Sequence, residues 1–126
     1  MVYKEGIQES LRQRKLITLG IFGLFSKPVT DKGVSDYKNT PNAVLLDVRT
    51  PEEYAQGHIP DSINIPLSQI NDDVPCAIKD KNTPLFVYCR SGARSSQAVS
   101  QLKRMGYISV VNIGGILDYT GEIERG

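Results

Sequence analysis

Three short, uncharged runs divide this chain: Val44-Leu45-Leu46, Leu85-Phe86-Val87-Tyr88 and Val110-Val111-Asn112-Ile113. Each carries apolar residues at successive positions rather than at alternate ones, so a strand built from it has both faces covered. Stretches with helical patterning lie between the runs, and strands that alternate with helices favour a parallel sheet over hairpins. The fold class expected is therefore α/β, with a central, mostly parallel sheet and helices on both faces.

The same pattern places the elements. A short turn or helix is expected near Val34–Lys38, a strand near Val44–Val48, a helix near Pro51–Gln56 and a strand near Ile63–Ile65. A helix near Leu67–Ile78, a strand at Leu85–Tyr88, a helix at Ser95–Met105 and a strand at Val110–Ile113 complete the list. Thr50-Pro51-Glu52-Glu53 reads as an N-cap, a proline at the first helical position and acids in the first turn, which makes Glu52 and Glu53 helix residues first. At 126 residues and 40% hydrophobic content, the chain fits one domain with one core.

Cys89 ends the second run and is followed at once by Arg90-Ser91-Gly92-Ala93-Arg94-Ser95-Ser96 and then a helical pattern. Unpaired N–H groups at a helix start and two nearby guanidinium groups favour the thiolate over the thiol. An unperturbed cysteine, with a pKa near 8.5, is only about 3% thiolate at pH 7, and a fall of roughly two units makes it mostly thiolate. The same residue could be a small buried hydrophobe that happens to end a strand. A polar loop with arginine on two sides of the sulfur points instead to a nucleophile.

Four residues separate Cys89 from Arg94, so a six-residue loop can curl with its N–H groups inward as a nest for an anion. A loop one residue longer, as in tyrosine and dual-specificity phosphatases, surrounds a tetrahedral phosphate. The shorter one suits a single extra sulfur atom on the cysteine. With this loop the chain resembles a single-domain rhodanese. Two further stretches carry the resemblance: Leu45-Leu46-Asp47-Val48-Arg49-Thr50-Pro51-Glu52-Glu53-Tyr54 leading to Gly57-His58-Ile59-Pro60-Asp61-Ser62-Ile63-Asn64-Ile65-Pro66, and Gly114-Gly115-Ile116 with Tyr119 and Gly121. The matches cover roughly residues 29–126 and occur in the family's order. Thr30–Tyr37 is short and polar where the family usually has its first strand.

The resemblance implies a three-layer fold and sulfurtransfer. Cys89 would take the outer sulfur of thiosulfate or a similar small anionic donor, and the resulting persulfide would pass to a thiol or protein acceptor. No cofactor and no metal are implied. In the loop, Arg94 is expected to brace backbone carbonyls or an acidic partner, and Arg90 to face the mouth and meet the donor. Gly92 is expected to supply a positive φ or to let the chain pass close to the sulfur, and Ser95 and Ser96 to cap the helix. Asp47 lies at the carboxyl edge of the sheet, where ligands bind in open α/β folds; the resemblance places it, with Arg49 and His58, in a supporting framework. Cys76 is expected to be buried.

Charge is uneven along the chain. Residues 1–27 hold five basic and two acidic residues, a balance of +3 against +1 for the whole. The apolar stretch Leu16–Ser26 within them is shorter than the roughly 20 residues that span a bilayer. Peripheral membrane contact or packing on the domain ranks above secretion, which divides the chain into an extension, 1–28, and a rhodanese-like domain, 29–126. A net charge of +1 makes no case for a nucleic-acid partner, and a thiol nucleophile suits a reducing, cytoplasmic setting. Two other functions compete with sulfurtransfer: a rhodanese-like sulfur-carrier or binding module with little turnover of its own, and a phosphatase or arsenate reductase.

Overall fold

The computed structural model describes residues 28–126, so the expectations for the N-terminal extension fall outside the described residues. Four parallel strands, β1 (Val44–Asp47), β2 (Ile63–Asn64), β3 (Leu85–Cys89) and β4 (Val110–Gly115), form one sheet in the order β2-β1-β3-β4. Helices α1 (Val29–Lys38), α2 (Pro51–Gln56), α3 (Ile70–Ala77) and α4 (Ala93–Arg104) connect or precede them.

Alternation along the central strands sorts the core into two layers. Leu46, Leu85, Val87 and Cys89 point to one face, where Ile70 and Val74 of α3 and Ala98 and Leu102 of α4 cover them. Leu45, Phe86 and Tyr88 point to the other, with Val34 of α1 and Ile113 of β4. This period of two aims the Cys89 side chain at the α4 layer.

Three elements differ from the sequence expectation. Helix α1 begins at Val29, not near Val34, because Thr30, Gly33 and Val34 form a buried stripe at helical spacing. At Gly33 a Cβ would lie 2.4 Å from Ile113 Cβ, so only glycine lets this helix settle so closely on β4. The expected helix from Leu67 is split into a 3₁₀ turn, Leu67–Gln69, and α3. The Leu67 N–H donates to Val48 O, and the Gln69 N–H donates to Pro66 O three residues back, which tightens the entry. Helix α4 starts at Ala93 behind Gly92, so Ser95 and Ser96 lie inside the helix and neither caps it. Cys76 is exposed rather than buried: Ile70 and Val74 face the core, and two residues beyond Val74 a helix has turned away.

A polar knot ties the α1 face to the segment before β2. The Tyr88 hydroxyl accepts from the Ile59 N–H at 3.0 Å and lies 3.0 Å from Ser62 Oγ, which itself donates to Ile59 O at 2.7 Å. Tyr88 therefore donates to Ser62, and all three groups are satisfied in a buried place. Tyr88→Phe leaves the Ile59 N–H without its acceptor and is expected to destabilise the fold by about 1–3 kcal/mol in urea unfolding. An unchanged midpoint would show that another acceptor serves Ile59.

Candidate active site

Cys89 is the last residue of β3 and is 1% exposed. The chain turns directly after it. Gly92 takes a φ of 107°, in the left-handed region that glycine alone enters freely, and this bends the loop back so that the Gly92 N–H donates to Cys89 Sγ at 3.0 Å. Ser95, in the first turn of α4 and fully buried, places its Oγ 3.4 Å from the same sulfur. Burial pushes the thiol pKa up, but hydrogen bonds from the Ser95 hydroxyl and from the N–H groups of Ser95, Gly92 and Ser91 outweigh it and hold the thiol below its ordinary value.

The loop rests on β4. A Cβ at Gly115 would lie 2.1 Å from Arg90 O and 2.5 Å from Ser91 Cα, so the absence of a side chain there is what lets the two backbones meet. Arg90 O also accepts from the Leu117 N–H at 3.2 Å. On the α1 side, Thr30 Oγ1 donates to Gly115 O at 2.9 Å and fixes the strand end.

The two arginines are not equivalent. Arg94 makes a two-pronged bond to Glu53, Nη1–Oε1 at 2.8 Å and Nη2–Oε2 at 3.0 Å. Glu53 also closes the capping box of α2: the Thr50 N–H donates to Glu53 Oε1, and the Glu53 N–H donates to Thr50 Oγ1. Glu53 is thus more than a helix residue, since it joins α2 to the first turn of α4. Arg94 holds its carboxyl down to about 2. Arg90 is exposed and lines an open cleft of about 320 Å³ together with Arg49, Ile116, Leu117, Tyr119 and Ile123. The donors that touch the sulfur are therefore neutral N–H and O–H groups, and the Arg94 charge is largely compensated by Glu53.

The supporting residues form a separate framework. Buried Asp47 accepts from Arg49 through Nε and Nη2, and Arg49 Nη2 also donates to Gly57 O at 2.7 Å. Asn64 Nδ2 donates to Asp47 O and Arg49 O, which ties β2 to the same corner. His58 Nδ1 lies 2.9 Å from Tyr54 O, so that nitrogen carries the proton, and its ring stacks on Tyr54 with centroids 3.7 Å apart. Its backbone pairs with Glu124 near the C-terminus, and neither ring nitrogen bonds to Cys89.

A six-residue loop around a cysteine sulfur, at the carboxyl end of a parallel sheet, defines an α/β protein with a buried thiol cradled by N–H groups. Residues 30–122 match the family model described as "Rhodanese-like domain". The chain belongs to the rhodanese-like family. It is 45% identical over 73 residues to "Thiosulfate sulfurtransferase PspE" of Escherichia coli (strain K12), covering 58% of this chain and 70% of that one. A "Sulfurtransferase" of Allochromatium vinosum is 44% identical over 80 residues, 63% of this chain and 73% of its own. Among solved structures, "rhodanese with anions from E. coli" superposes with a TM-score of 0.63 at 40% identity, over 67% of this chain and 99% of that one.

Asn112, Glu53 in its bond to Arg94, and the close approach at Gly115 were not assigned to the site from sequence. Gly114-Gly115 is part of the family resemblance, but nothing in the run Val110–Ile113 marks Asn112 as a site residue. The Glu53–Arg94 bond has a measurable pH signature. The folded carboxyl, at about 2, lies below its ordinary 4.5, so the stability it contributes is present above pH 4.5 and is lost as pH falls towards 2. With the side chains of Arg94 and Glu53 34% and 27% exposed, solvent screening keeps that contribution on the order of 1 kcal/mol. Glu53→Gln is expected to be less stable than wild type by that amount at pH 7, and the difference is expected to close between pH 4.5 and 2 in urea titrations. A difference that stays constant across this range contradicts the ion-pair assignment.

Proposed function

We propose that this chain is a thiosulfate sulfurtransferase that works through a persulfide on Cys89. The observation that carries the reading is the Gly92 N–H donated to a buried Cys89 sulfur within a six-residue loop. The Cys89 thiolate attacks the outer sulfur of thiosulfate, a new S–S bond forms, and the old one breaks with its electron pair leaving on sulfite. An acceptor nucleophile then attacks the outer sulfur of the persulfide, and Cys89 departs as thiolate.

The loop supplies what both steps share. Negative charge on the Cys89 sulfur, or on the outer sulfur beyond it, meets preorganised N–H dipoles and the Ser95 hydroxyl rather than mobile water. Arg90, exposed at the cleft, attracts the anionic donor, while Arg94, bound to Glu53, keeps the loop in register with α2. Asp47, Arg49 and His58 brace the sheet edge and the turn beside it. A reducing compartment keeps Cys89 in the thiol state that the first step requires. No helix among the described residues is long and apolar enough to cross a membrane.

Incubation with thiosulfate followed by intact-mass measurement tests the reading. Wild type is expected to gain about 32 Da, one sulfur atom, and to lose it again on addition of cyanide or a thiol. Cys89→Ala is expected to gain nothing. An adduct that persists without Cys89, or none on the reduced wild-type protein, contradicts the reading.

A further inference from the structure

Ser95 carries one hydroxyl proton and has three acceptors within reach: Asn112 Oδ1 at 2.8 Å, Gly92 O at 3.0 Å and Cys89 Sγ at 3.4 Å. A hydroxyl donates once, so the three compete. Asn112 reaches this position through an irregularity in the sheet. Val87 pairs with Asn112 but Tyr88 pairs with Gly114, which leaves Ile113 as an extra residue in β4. Gly114 adopts a φ of 98°, and its N–H donates to Asn112 Oδ1 at 2.9 Å. That bond fixes which end of the carboxamide is oxygen, and Nδ2 then donates to Gly92 O at 3.2 Å. The bulge thus presents an acceptor to Ser95 and a donor to the loop beside the sulfur.

We propose that Asn112 is a positioning residue that holds the Ser95 hydroxyl proton while Cys89 is a thiol and yields it to the sulfur when Cys89 becomes a thiolate or persulfide. In the thiol state the Cys89 S–H donates to Ser95 Oγ, and the Ser95 O–H donates to Asn112. When the thiol proton leaves to solvent, the hydroxyl rotates and donates to the sulfur. The exchange gives up the neutral bond to Asn112 to make a charge-assisted bond to the sulfur, so the lost bond is subtracted from the gain and Asn112 limits how far the thiolate is stabilised. A sulfur held less tightly keeps more of its nucleophilicity, which falls as thiol pKa falls.

Among the described residues, the charged groups around the sulfur are Arg94 of α4, bound to Glu53 of α2, Arg90 of the loop, and the Asp47–Arg49 pair at the end of β1. The α3 acids Asp72 and Asp73 are exposed, and β4 contributes no charge. Substituting Asn112 by alanine leaves every one of them in place. The change therefore reads the hydroxyl competition rather than a change in net charge.

The test is the pH dependence of Cys89 alkylation by iodoacetamide on the full chain, followed by mass. Asn112→Ala removes the nearer of the two acceptors that compete with the sulfur, leaving Gly92 O at 3.0 Å, and is expected to lower the apparent thiol pKa by roughly half to one pH unit, the weight of one neutral hydrogen bond. In a Ser95→Ala background the same substitution is expected to shift nothing. Asn112→Asp, a stronger acceptor carrying a charge, is expected to raise the pKa. A pKa that is unchanged or raised in Asn112→Ala, as loosening of a merely braced loop would give, overturns the proposal. So does a shift that survives without Ser95, or a fall in Asn112→Asp. The proposal rests on Cys89 as the nucleophile, but alkylation needs no sulfur transfer, so its failure is distinct from failure of the persulfide to form.

Discussion

A backbone N–H aimed at a buried sulfur is the interaction around which the site is arranged. For Gly92 to donate to Cys89, the chain must leave β3 and reverse within three residues, and only a left-handed residue allows that turn. The turn in turn needs room, which Gly115 gives by having no side chain against Arg90 and Ser91. The alternation of β3 sets the direction: Leu85 and Val87 pack towards α3 and α4, so Cys89, two residues further on, presents its sulfur to the first turn of α4.

The balance at the sulfur is between burial and donors. Burial alone opposes the thiolate, yet the short contacts from Ser95, Gly92 and Ser91 reverse the sign. The N–H groups are fixed neutral dipoles, and the Ser95 hydroxyl is a neutral donor that turns about its own C–O bond. Among the described residues they oppose burial without a free cation at the sulfur. Arg94 spends its charge on Glu53 and serves to fasten α4 to α2, leaving Arg90 as the exposed arginine of the loop.

Much of this was legible in the sequence, for physical reasons that can be named. Apolar runs covered on both faces leave little choice but a parallel sheet, and Thr50-Pro51-Glu52-Glu53 carries its helix start in four residues. The loop could be read because its residues are contiguous: a strand end, a short polar turn and a helix start are all local. What could not be read depends on partners distant in the chain. Glu53 and Arg94 lie 41 residues apart, and nothing local marks one as the other's partner. Asn112 faces Ser95 because of a bulge, and one extra residue in a strand leaves no trace in an apolar run. Ser95 looked like a cap because serine caps helices, but Gly92 had already started the helix, which freed that hydroxyl for the sulfur.

The most direct test of Cys89 as a sulfur carrier is the stoichiometry of sulfite release in the absence of any acceptor. Rapid mixing of reduced protein with excess thiosulfate is expected to give a burst of about one sulfite per chain and then stop, because the persulfide has nowhere to discharge. Sulfite that appears only once an acceptor is added, or a burst of the same size from Cys89→Ala, contradicts the account.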